Sequence, residues 1–84
     1  MPVISRFYGL VIKMYFGDAE HNPPHFHVVY GDYSGVFDIN SLKMTEGDLP
    51  IKAQGLILEW AKQHQDELLK IWNTQKFENI PPLV

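Results

Sequence analysis

Eighty-four residues with a formal charge of −3 and no cysteine allow one small domain and exclude a disulfide frame, a thiolate metal site and a cysteine nucleophile. The longest apolar run falls well short of the roughly 18 residues a membrane span needs. The start, Met1-Pro2-Val3-Ile4-Ser5-Arg6, lacks the charged-then-apolar design of a secretory signal, which points to the cytoplasm.

The seven basic residues, Arg6, Lys13, Lys43, Lys52, Lys62, Lys70 and Lys76, are spread along the chain. Direct nucleic-acid binding by the chain alone is therefore disfavoured, because neutralising phosphates calls for a basic patch. A domain of this size buries roughly 60–65% of its unfolded surface, so its core is thin. Phe7, Phe16, Phe26, Phe37, Trp60 and Trp72 are its expected large suppliers.

Leu10 to Phe16 alternates, with Leu10, Ile12, Met14 and Phe16 on one side and Val11, Lys13 and Tyr15 on the other. Gly9 before it suggests a bulge or bend. Gly17 to Pro24 reads as a loop. His25 to Tyr30 is a second strand, Gly31-Asp32 a two-residue hairpin turn, and Ser34 to Ile39 a third strand.

That turn fixes a register. Tyr30 faces Tyr33, Val28 faces Gly35 and Phe26 faces Phe37; on the other face Val29 meets Ser34, His27 meets Val36 and His25 meets Asp38. Asn40-Ser41 turns the chain into a short strand at Leu42-Lys43-Met44.

Gly47-Asp48-Leu49-Pro50 reads as a helix start, with Asp48 as N-cap and Pro50 in the first turn. Ala53, Ile57, Trp60, Ala61, His64, Leu68, Ile71 and Trp72 then recur at three- and four-residue steps as one stripe, ending near Gln75-Lys76. A straight helix of that length would run roughly 39 Å, against about 20 Å for a six-residue strand. Either the helix breaks at the polar run 62–67, or its second half packs on a protein partner or a second copy. Asn79 to Val84 reads as an extended tail, with disorder preferred over a peptide-ligand role.

Three of the four histidines fall within the seven residues His21-Asn22-Pro23-Pro24-His25-Phe26-His27. Alternation puts His25 and His27 on one face, about 6.7 Å apart at Cα, with Phe26 turned into the core. Two imidazoles at that spacing can share one divalent ion. His21 would supply a third nitrogen if the loop folds back, Asp38 a ligand or an acceptor for an imidazole N–H, and Asp18 and Glu20 nearby carboxylates.

The spacing is not a closed ligand set of the kind that defines a metal site. Same-face histidines also serve as ordinary polar residues on an open sheet face, or as a metal-free binding surface. His64, central in the helix stripe, reads as a core-edge imidazole with one hydrogen bond. A base at His25 oriented by Asp38 is chemically reasonable, but the sequence supplies no nucleophile motif for it.

Ile4-Ser5-Arg6-Phe7-Tyr8-Gly9, the His21-to-His27 segment, Gly47-x-Leu49-Pro50, Glu59-Trp60, Glu67-Leu68 and Trp72 together resemble the bacterial family catalogued as domain of unknown function 4160. The Pro-Pro-His-Phe-His element is the most specific part of that likeness. The resemblance implies a small stand-alone protein with no assigned activity. It also implies genes that often neighbour another uncharacterised family, domain of unknown function 2442, in an arrangement like a two-gene toxin–antitoxin or regulatory module.

These readings converge on an α+β domain over residues 1–78 with a tail at 79–84. An antiparallel three- to four-stranded meander is packed by a long C-terminal helix, continuous or broken at 62–67. Phe26, Phe37, Ile12, Met14, Ile57, Trp60 and Ala61 form the expected core. The expected binding surface is His21, Pro23, Pro24, His25, His27 and Asp38, taking a protein partner or a second copy without catalysis. The alternative is a metal-dependent hydrolase or nuclease with one divalent ion on His21, His25, His27 and Asp38.

Overall fold

The computed structural model describes residues 3–14 and 23–83. Five strands, β1 (Val3–Phe7), β2 (Leu10–Lys13), β3 (His25–Tyr30), β4 (Tyr33–Asp38) and β5 (Met44–Gly47), precede one helix, α1 (Ile51–Thr74). The strands form a single antiparallel meander in chain order.

The β3–β4 register is the one the Gly31-Asp32 turn dictates, from Tyr30 opposite Tyr33 to His25 opposite Asp38. β2 stops at Lys13, with Met14 already outside it, and β4 is shifted by one residue from the expected Ser34–Ile39; two other strands differ more. β1 escapes a period-two reading because a bulge between Val3 and Ser5 buries the consecutive residues Ile4 and Ser5. The last strand begins at Met44, where Leu42-Lys43-Met44 was expected, because the turn after Asp38 runs through Leu42.

The helix also starts differently. Its N-cap is Pro50, with no side-chain capping bond. Asp48 is held away from the helix: its N–H donates to the Ser34 carbonyl at 3.0 Å, and its Oδ1 accepts from the Ser34 N–H at 3.2 Å. Asp48 therefore fastens β5 to β4.

One layer of core lies between α1 and the sheet face carrying Ile12, Met14, Phe26, Val28, Phe37 and Ile39, all of them buried. Trp60 sits at its centre, with ring centroids 5.5 Å from Phe7 and 6.1 Å from Phe26. Of the expected large core residues, Phe16 lies outside the described residues.

A straight 24-residue helix would extend about 36 Å, beyond the 31 Å that the molecule spans. The helix bends at His64, whose φ/ψ of −123°/20° is non-helical. The neighbouring Gln65 Nε2 donates to the carbonyls of Ile39 and Asn40, at 2.7 and 3.1 Å, pulling the bend onto the β4–β5 turn. Both halves of the stripe are then buried, Ala53 to Ala61 before the bend and Leu68, Ile71 and Trp72 after it. The overhanging half-helix expected as a partner surface does not exist.

His64 has the bland role expected of it. It is half-buried, its Nδ1 lies 2.7 Å from Glu67 Oε1, and its ring is 5.5 Å from Trp60. The tail is extended but docked, which corrects the expectation of disorder. Ile80 and Leu83 are buried, Ile80 N–H donates to Ile4 O at 3.0 Å, and Trp60 Nε1–H donates to Pro81 O at 2.9 Å. The proline-containing tail thus covers the outer edge of β1, a common way to blunt an edge strand.

Candidate functional site: the histidine face of the sheet

Strand alternation and the observed register place the side chains opposite the helix in rows across the sheet. One row runs Val3, Lys13, His27, Val36, Glu46 from β1 to β5; its neighbours hold His25 with Asp38, and Arg6, Val11, Val29 and Ser34. Phe26 is fully buried on the other side. His25 and His27 stand together as expected, with ring centroids 5.2 Å apart and planes at 68°.

His25 is held on two further sides. Its Nδ1 donates to the Pro23 carbonyl at 2.9 Å. A carbonyl oxygen only accepts, so this bond fixes the proton on Nδ1 and leaves Nε2 as the acceptor in the neutral ring. Its other flank packs on Trp72, ring centroids 4.9 Å apart. The proline pair therefore has a definite job: Pro23 orients His25, and the Pro24 carbonyl accepts the Ile39 N–H at 2.9 Å, extending the β3–β4 ladder.

Asp38 lies opposite His25, but its carboxylate works elsewhere. Oδ1 accepts from the N–H of Asn40 at 2.8 Å and of Ser41 at 3.0 Å, an Asx turn that organises the β4–β5 connection. The expected use of Asp38 to orient His25 is corrected: Pro23 does this. His21, Asp18 and Glu20 lie outside the described residues. Among the described residues no group of three His, Cys, Asp or Glu converges as a metal site would.

A cleft of about 330 Å³ opens over this face, with Pro23 at one end, His25, His27 and Asp38 along it, and Thr45 and Glu46 of β5 as the far wall. A second hollow of about 260 Å³ adjoins it and shares His27, Val36 and Glu46. Thr45, Glu46, Val36 and Trp72 are site residues that sequence reasoning missed. The misplaced last strand hid Thr45 and Glu46, and Trp72 reaches His25 only because the helix bends. A larger cleft of about 510 Å³, lined by Tyr8, Tyr30, Lys52 and Leu56 among others, involves none of the expected site residues.

Fold and site together define a small two-layer α+β domain with a histidine-bearing sheet face opposite its single helix. Residues 9–73 match the family model described as Domain of unknown function (DUF4160), and the chain belongs to that family. The match takes in the whole His21-to-His27 segment but stops short of Ile4 to Tyr8 and of the tail. Comparison with curated proteins and with solved structures returns no match.

Proposed function

We propose that this chain is a non-enzymatic binding module that takes a protein partner on the sheet face opposite the helix. The observation that carries the reading is the make-up of that face. A solvated antiparallel face normally carries polar residues at alternate positions; here four of them are valines, Val3, Val11, Val29 and Val36, each half-buried within the chain, set among Lys13, His25, His27, Asp38 and Glu46. Around these valines stand two imidazoles, one of them fixed by Pro23 and Trp72. Apolar area supplies affinity and rigid polar groups supply register, the usual division at protein interfaces. The engagement of Asp38 Oδ1 in the turn also favours binding over acid–base catalysis.

The test is affinity capture in the native host with the tagged chain and with Val36→Lys, each verified as folded by circular dichroism. With chemical cross-linking before capture, the wild type is expected to retain a protein, either another chain or an untagged copy of itself, and the variant to lose at least about nine-tenths of it, since a lysine in a desolvated apolar contact costs several kcal/mol. A stoichiometric partner kept by both proteins would place the binding surface elsewhere. No captured protein with the wild type, together with no self-association of the chain in solution, would contradict the reading itself.

A further inference from the structure

We infer that the partner on this face is a second copy of the chain, docked sheet to sheet about a two-fold axis parallel to the strands between β3 and β4. This rests on the reading that the face opposite the helix is the binding surface. The central row decides the occupant. Lys13 on β2 and Glu46 on β5 flank the His27–Val36 centre at equal offsets of one and a half strands. Neither has a charged partner among the described residues. Three strand spacings, about 14 Å, keep them from pairing within one chain.

The proposed axis brings each Lys13 over the partner's Glu46, and His27 over the partner's Val36. The flanking rows place His25 over the partner's Asp38 and Val29 over the partner's Ser34. A two-fold axis lying across the strands along this row would instead stack Lys13 on the partner's Lys13 and Glu46 on the partner's Glu46. The charge pattern is therefore complementary to itself in one isologous arrangement and repulsive in the other. Face-to-face sheets in sandwiches pack in this aligned manner.

A face roughly 20 Å wide and 15 Å deep covers about 300 Å² per copy, below the range of stable interfaces and within that of weak, transient ones. The expected species is a concentration-dependent dimer, with Kd roughly in the ten-to-hundred-micromolar range.

Sedimentation equilibrium of the untagged full chain tests this, with Lys13→Glu and Glu46→Lys alone and mixed. Each single variant would set like charges at both contacts, and Kd is expected to rise at least about tenfold. Mixing the two variants restores an opposite-charge pair at both contacts, so a heterodimer within about threefold of wild-type affinity is expected. Wild type that stays monomeric at about 1 mM overturns the inference, as do single variants that dimerise like wild type or a mixture that stays monomeric.

Should a single variant fail to fold, wild-type Kd from about 50 to 500 mM salt decides: a several-fold rise supports the charge register and salt independence overturns it. A monomeric wild type that still captures a different protein through Val36 overturns the second-copy assignment and leaves the proposed function standing.

Discussion

Trp60→Ala is expected to be the most damaging single substitution, removing a large share of the folding stability. Trp60 is fully buried, packs against Phe7 and Phe26, and donates its indole N–H to Pro81 O. Truncating a buried tryptophan costs about 3–5 kcal/mol in lost transfer energy and residual cavity. A domain of this length has total stability on the order of 4–12 kcal/mol. The cost also reaches the tail, because the indole bond is one of the few polar contacts holding residues 79–83. Trp60→Phe keeps an aromatic ring while deleting that bond, and should stay folded with a loss of about 1–3 kcal/mol. Urea unfolding followed by far-UV circular dichroism measures both. A Trp60→Ala protein within about 1 kcal/mol of wild type would mean that the core is not centred on this residue.

Gly47→Ala should be the next most damaging change and should act on the site as well as on stability. Gly47 has φ +120°, and an added Cβ would lie 2.3 Å from Ser34 O and 2.5 Å from Gly35 Cα. Both obstacles are backbone, so relief requires β5 to move off β4. Strain of this kind costs about 1–3 kcal/mol for the dihedral alone, and the expected total is about 2–4 kcal/mol. Because β5 carries Thr45 and Glu46, the far wall of the cleft should loosen with it. Amide hydrogen exchange would report this as lost protection in β5 with β2 and β3 preserved. Gly55→Ala is the matched control. It lies exposed in the helix with nothing within 4 Å of an added Cβ, and is expected to stabilise by about 0.5–1 kcal/mol. Equal destabilisation by the two substitutions would contradict the close approach of β5 to β4.

How far the fold could be read in advance depends on whether structure was dictated locally. The register of the β3–β4 hairpin was legible to the residue because a two-residue turn leaves one register. The same logic placed His25 and His27 on one face with Phe26 beneath. The end of the helix was legible too: Gln75 adopts the left-handed cap conformation where the apolar stripe runs out. Features set by distant contacts were not. β1 was hidden by its bulge, and Asp48 has the chemistry of an N-cap, yet the turn at Gly47 hands it to Ser34 across the sheet. The length mismatch between helix and sheet correctly demanded a break or an outside contact; only Gln65 reaching Ile39 and Asn40 shows that the bend satisfies it. The tail looked expendable because neither Ile4 O nor the Trp60 indole can be seen waiting for it in the sequence.

The candidate site divides along the same line. The side-by-side imidazoles follow from period two, and their constraint follows from structure: Pro23 behind His25, Trp72 at its flank, Asp38 diverted to the turn. Ser5 offered no signal of any kind. Its hydroxyl is buried without a hydrogen-bond partner among the described residues, at a cost of about 1–3 kcal/mol, a consequence of the bulge that turns it inward.

The central claim, that the face carrying His25 and His27 is the surface this protein uses, is tested most directly by NMR of the isotope-labelled full chain across a concentration series. The account predicts that backbone and imidazole resonances of Lys13, His27, Val36 and Glu46 shift with concentration, while those of the outward helix residues Lys62 and Lys70 hold still. Shifts confined to the helix exterior or to the cleft beside Tyr8 and Tyr30 would contradict it.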